Sequence, residues 1–187
     1  SAEALSVKLE VALDELFLTR VSLSGGADLA QQAEPEFNHC VKVRVTGLKS
    51  GTSYYYRFIY ESKDGSFYVS RTGRTRTAPA LSEDVAVRFA VVSCQDYSAR
   101  YYNTMRHLGT LEVDFIVHLG DYIYESVGNA SFQDSDAARE VSFRSPEEAL
   151  VVHPGAPNEY LAAKSLGNYR DLYEIYRSDS DLQSLHE

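Results

Sequence analysis

Tryptophan is absent from the 187 residues, methionine occurs once and cysteine only twice. Two cysteines cannot build a disulfide framework, which excludes a small scaffold stapled by bridges. Basic residues are outnumbered, 18 Lys and Arg against 27 Asp and Glu, so the formal net charge is −9. A generic nucleic-acid binder needs a basic field to displace phosphate counterions, so the acidic balance argues against one, and no nucleic-acid-binding surface is evident. No apolar run approaches the ~20 residues of a transmembrane segment. The chain starts at Ser1, without an initiator Met and without the basic, apolar and small stretches of a secretory signal. It reads as a chain whose N-terminus has been removed. What is present, 44% hydrophobic and 24% charged residues, suits a packed globular protein and not a disordered one.

Residues 6–13 alternate, with Val7, Leu9, Val11 and Leu13 on one face, which predicts a half-buried strand. Val41, Val43 and Val45 alternate in the same way. Gly47 to Gly51 then supplies a turn, Ser53 to Tyr60 a tyrosine-rich strand, Asp64-Gly65 a hairpin signal, and Phe67 to Thr77 a return strand. Short strands with turn punctuation predict a β-sandwich over residues 1–77. The stretch from Val45 to Phe58 resembles the strand-turn-strand of fibronectin type III-like domains. That resemblance implies that Leu48 is core and that the Tyr54 hydroxyl bonds back to the turn. About five strands are visible where roughly seven are expected, so the sandwich reads as incomplete at its start. The other tyrosines are expected to pack across strands rather than to form a binding platform.

Periodicity breaks at Ala78-Pro79-Ala80-Leu81-Ser82-Glu83-Asp84, which predicts a linker. Val85 to Ser93 is a strand of another kind, apolar on both faces in its second half, as in a buried α/β sheet. Ser98 to Thr110 has helical character, and Val113 to Leu119 is a second apolar strand. Strand, helix and strand in so short a span predict a βαβ unit with parallel strands. Residues 125–157 read as a long irregular loop, of the kind that is usually functional or mobile. Residues 158–177 read as a helix with Leu161, Leu166, Tyr169, Leu172, Tyr173 and Tyr176 as buried positions. Asp179 reads as the cap of a last short helix ending at His186.

Sites in open α/β sheets form beyond the carboxyl ends of the strands. Here those ends are Ser93-Cys94-Gln95-Asp96 and His118-Leu119-Gly120-Asp121-Tyr122-Ile123-Tyr124-Glu125. Parallel strands put Cys94 and Asp121 at one sheet edge. Gly120 permits the sharp turn that aims Asp121, and Tyr124 returns a phenol oxygen three residues later. A thiolate, a carboxylate and a phenolate are anionic donors suited to a hard, high-charge cation such as Fe(III). Singly, each has a plainer role: a core cysteine, a turn aspartate, a packing tyrosine. Their joint placement is the signal.

The segments Phe89 to Tyr97, Tyr101-Tyr102-Asn103, Asp114 to Glu125, and Tyr169-Arg170 through to His186 together resemble the alkaline phosphatase D (PhoD-like) family. The resemblance runs from about residue 6 to the end. It implies a small fibronectin-like domain followed by a calcineurin-like, four-layer α/β/β/α metallophosphatase domain, here residues 85–187 and truncated. It implies an exported alkaline phosphatase acting on phosphomonoesters and phosphodiesters, secreted, periplasmic or at the cell surface. It also implies Fe(III) and Ca(II) as cofactors. By resemblance Cys94 and Tyr124 ligate the iron, and Asp121, the catalytic residue, ligates it and bridges towards calcium. The implied chemistry is in-line attack by a metal-activated hydroxide. Tyr176 is the candidate for lining the substrate.

The family's Trp-Asp-Asp-His-Glu-type motif, its following Asn residues and its distant His-containing segment have no counterpart here. The chain is therefore expected to be an N-terminal fragment with half a metal site, inactive alone, whose partner is the missing C-terminal part. Two rivals stay open. One is a non-catalytic β-sandwich binding module with a degenerate metallophosphatase remnant. The other is a purple acid phosphatase relative, which would carry Asp where Cys94 stands. Cys40 and Cys94 fall in different expected domains, so no disulfide between them is expected.

Overall fold

The structure is a computed structural model, and it describes residues 3–23, 30–133 and 137–187. The chain divides into two compact units, Ser1–Ala86 and Val87–His186.

The first unit is built on strands β1 (Leu5–Ala12), β2 (Ala30–Ala33), β3 (Ser53–Glu61), β4 (Phe67–Val69) and β5 (Gly73–Arg76). They form one antiparallel sheet in the order β2-β1-β3-β4, with β5 also on β3. The alternation in β1 becomes register: Leu9 lies opposite Phe58 and Val11 opposite Tyr56. Leu9, Val11 and Tyr54 are the buried centre, with Val43, Val45 and Leu48 against them. The Lys49 amide donates to the Tyr54 hydroxyl at 2.9 Å, which ties the turn back to the strand.

Two expectations change here. The return strand splits in two, because Ser70 interrupts the ladder. Its Oγ accepts from the Phe58 amide, and its own amide donates to the Phe58 carbonyl, both at 2.9 Å. Residues 41–46 keep their alternating exposure, but they pair with no strand among the described residues. Val43 and Val45 of that segment pack against the Leu9, Val11 and Tyr54 cluster.

The second unit contains β6 (Phe89–Val92), α1 (Asn103–Leu108), β7 (Phe115–His118), β8 (Ser126–Val127), β9 (Leu150–Val152), β10 (Tyr160–Ala162), α2 (Leu166–Arg177) and α3 (Ser180–His186). β6 and β7 are parallel, with Val92 opposite His118. β8, β10 and β9 make a small antiparallel sheet.

The helix expected over 98–110 is only Asn103–Leu108. Asp96 Oδ1 accepts from the Ser98 amide, and Ala99 takes φ 51°, a left-handed conformation that no helix continues through. The helix expected over 158–177 starts at Leu166. Its first turn is fixed by a reciprocal cap. Ser165 Oγ accepts from the Asn168 amide at 3.1 Å, while Asn168 Oδ1 accepts from the Ser165 amide at 3.2 Å. Leu161, read as helical, sits in β10 between two partners. Asp179 does cap the last helix, with Oδ1 accepting from the Asp181 and Leu182 amides.

The parallel pair is not buried on both faces. Phe89, Val91 and Phe115 are each about half exposed, at 54%, 53% and 50%. The Phe89 and Phe115 rings stack at 5.4 Å. Two strands leave that face uncovered by the described residues.

Candidate metal centre

The ladder between β6 and β7 continues beyond both strands. The Leu119 amide donates to the Val92 carbonyl, Cys94 to Gly120, and Gln95 to Asp121, at 2.9, 3.1 and 3.0 Å. The two strand-end loops are thereby stitched to each other. Cys94 and Asp121 both adopt positive φ, 60° and 55°, and Gly120, between β7 and Asp121, lies at 131°. Left-handed backbone at a cysteine and an aspartate costs free energy. It persists only where neighbours over-determine it, and such residues concentrate at functional sites.

The strain turns two side chains towards one point. Cys94 Sγ lies 3.6 Å from Asp121 Oδ2, and the Tyr124 hydroxyl lies 3.3 Å from the same oxygen. Cys94 and Asp121 are exposed, and Tyr124 is half-buried. The sequence-derived set of Cys94, Asp121 and Tyr124 is thus one constellation in space. Partial burial, then the adjacent Cys94 and Asp121, push the Tyr124 phenol up to about 12. That environment disfavours the phenolate, and a cation placed among the three side chains would reverse the preference. The donor set therefore fits a high-charge cation. Among the described residues no group of three His, Cys, Asp or Glu side chains could hold a metal. The phenol is what completes a set of three.

His118 does not join the donors. Its Nδ1 accepts from the Gly120 amide at 3.2 Å, which leaves Nε2 to donate to Gln95 Oε1, also at 3.2 Å. Gln95 Nε2 in turn donates to the Tyr122 carbonyl. Gln95, 4% exposed, thus spans both loops.

Tyr176, expected to line the substrate, is 1% exposed and lies beneath the site rather than on its surface. Its hydroxyl donates to Asp96 Oδ1 at 2.9 Å and accepts from the Tyr124 amide at 3.2 Å. Burial, then Asp96, raise its pKa, so it stays a neutral phenol. The Tyr102 hydroxyl donates to the Gln95 carbonyl at 3.1 Å.

Sequence reasoning missed Gln95, Asp96 and Arg139 as supports. Arg139 comes from the stretch read as an irregular loop. Its guanidinium lies 3.6 Å above the Tyr97 ring and pairs with Asp179. Its Nε donates to the Arg100 carbonyl at 2.6 Å. Gln95 and Asp96 stood next to the cysteine as polar residues following a strand, and that adjacency was the available signal.

Comparison with known proteins places the chain in a family. Residues 89–187 match the family model described as PhoD-like phosphatase, and residues 1–79 match its N-terminal domain model. Alkaline phosphatase D of Bacillus subtilis (strain 168) is 34% identical over 185 residues, 98% of this chain and 27% of that protein. A solved structure of PhoD aligns over 100% of this chain and 31% of its own, with TM-score 0.74 and 33% identity. The chain thus spans between a quarter and a third of the length of these relatives. The Cys94, Asp121 and Tyr124 constellation lies inside the matched segment, and the chain belongs to the PhoD-like phosphatase family.

Proposed function

We propose that the second unit supplies part of the active site of a secreted phosphoesterase, an alkaline phosphatase or phosphodiesterase, and that it is inactive without the remaining ligands. The carrying observation is the convergence of Cys94 Sγ and the Tyr124 hydroxyl on one oxygen of Asp121. In this reading Cys94, Asp121 and Tyr124 would be the residues that hold Fe(III), and Asp121 would also serve Ca(II). Bound cations would supply Lewis acidity at the phosphoryl oxygens and an acidified water. The chain's own contribution is placement. The stitched loops bring a thiol, a carboxyl and a phenol to one sheet edge, where Cys94 and Asp121 are exposed and open to a phosphate ester. The bond from Lys49 to Tyr54 supports a fibronectin-like first unit, and the parallel β6–β7 pair supports a truncated calcineurin-like domain. The half-exposed Phe89, Val91 and Phe115 support packing against the missing C-terminal part of a longer protein.

The test is the visible spectrum of the full chain with added Fe(III), before and after Cys94→Ser, alongside turnover of a chromogenic phosphodiester with Fe(III) and Ca(II). A charge-transfer band that the substitution shifts or abolishes, with turnover at background, is expected. Absence of the band would remove the iron site from this chain. Substantial turnover by the chain alone would overturn the half-site.

A further inference from the structure

The donors come from two separate loops, Cys94 from the one after β6 and Asp121 and Tyr124 from the one after β7. Backbone bonds hold Cys94 and Gln95 to Gly120 and Asp121. Those bonds end at Asp121, and Tyr124 lies three residues further on. The Tyr124 amide makes its bond to the Tyr176 hydroxyl, and that hydroxyl makes its other bond to Asp96, two residues beyond Cys94.

We propose that Tyr176 is a positioning residue whose hydroxyl bridges the two loops and so sets the distance between the Cys94 and Tyr124 donors. One atom acts as donor to the first loop and acceptor from the second. That arrangement needs a phenol, because no apolar residue of the same shape makes either bond. The ring is anchored independently of the bridge, against Tyr102, Met105 and Leu182, and its centroid lies 5.6 Å from that of Tyr97. The bridge therefore has a rigid foundation in α2, whose own start is fixed by the Ser165–Asn168 cap. Asp96 is 8% exposed, and its Oδ2 has no partner among the described residues. Its Oδ1 accepts from the Ser98 amide as well as from Tyr176, so loss of the phenol leaves a buried carboxylate with one remaining bond. Asp96 would then tend to draw away from the site and carry its loop with it.

The consequence for metal binding rests on the proposed iron site, but the bridge itself does not. The experiment accordingly has two arms on the full chain. In the metal-free chain, amide hydrogen exchange is compared for wild type, Tyr176→Phe and Leu182→Val. Tyr176→Phe should speed exchange at Tyr124, Gln95 and Cys94 by roughly tenfold, about the loss of one hydrogen bond. The Asp114 amide, bonded to Arg88 at the other end of the strand pair, should stay protected. Leu182→Val loosens the same cluster without touching a hydroxyl, so it should raise exchange without that local pattern. If Tyr176→Phe proves too unstable, Asp96→Ala cuts the bridge from the other loop and should give the same signature. In the second arm, Fe(III) is added, and Tyr176→Phe should shift the charge-transfer band or weaken iron binding several-fold.

Unchanged exchange at the three amides would overturn the proposal, as would equal acceleration at Asp114. An unaltered band and unaltered iron affinity in Tyr176→Phe would also overturn it. If wild type gives no band, the iron reading fails, and the exchange pattern still decides the bridge.

Discussion

The two units solve the same folding problem with different materials. The first relies on backbone ladders: β3 pairs with β1 along one edge and with β4 and β5 along the other, over a centre of Leu9, Val11 and Tyr54. In the second, the strands are two to four residues long, and side chains do much of the joining. Among the described residues, every buried polar or charged side chain lies in the second unit, including Gln95, Asp96, Arg139, Asn168 and Asp171. A buried polar network is costly unless satisfied, but it fixes positions more sharply than an apolar core does. The contrast matches the chemistry: the unit that carries the donors is the one held by directional bonds.

The sharpest way to break that contrast is Arg139→Ala. Arg139 is 6% exposed, lies over Tyr97 and pairs with Asp179, which also caps α3. Removing one partner of a buried ion pair leaves the other charge uncompensated, at a cost of about 3–5 kcal/mol. Denaturation followed by amide exchange should show the second unit losing most of its protection while the β1–β3 ladder keeps its own. A loss under about 1 kcal/mol would mean that the apolar cluster around Leu172 and Leu182, not the network, holds that unit.

What could be read in the sequence follows the same division. β1 was legible because its period-two pattern and its ladder agree, β3 because turn signals bracket a tyrosine-rich run, and the Tyr54 bond to Lys49 because the resemblance to fibronectin type III-like domains implied it. The site was legible because Cys94 and Asp121 each follow a parallel strand, which fixes their edge. Three of the misread elements are places where a polar side chain overrides the local pattern. Ser70 splits one strand, Asp96 holds the segment before α1 out of the helix, and Asn168 with Ser165 delays α2. The Ser70 bond crosses between strands, whereas those of Asp96 and of Ser165 with Asn168 are local, and none of them leaves a periodicity. Tyr176 had the composition of a site residue but the burial of a core one, and only the structure shows its hydroxyl at work in both loops.

Tyr54→Phe measures the other side of the contrast. Tyr54 is as buried as Tyr176, but among the described residues its hydroxyl serves one local turn through the bond from Lys49. Its loss should cost about 1 kcal/mol, confined to the first unit, because water can replace the phenol at a half-exposed turn. Urea melts read by exchange on β1 and β3 give that number directly. The band or the Tyr124 amide should not respond. A response there would mean that the units are coupled more tightly than their separate cores imply.

The smallest expected effect concerns the second unit's surface. Arg106 donates two bonds to Asp181, at 2.9 and 2.8 Å, joining α1 to α3. The hydrogen bond from Arg106, then its charge, hold the Asp181 carboxyl below its ordinary value. A carboxyl depressed in the folded state binds its proton more readily when unfolded. Its contribution is therefore present above the ordinary carboxylate value near pH 4 and fades as pH falls through the lower folded value. The pair is solvent-exposed, so its worth is small and screened by salt. Asp181→Asn should then lower the second unit's stability slightly at pH 7 and low salt. The gap to wild type should narrow in 1 M salt and vanish as pH falls well below 4. A gap that stays constant from pH 7 to pH 3 would trace the effect to packing or capping, and would move Asp181 from the electrostatic surface into the directional network beneath it.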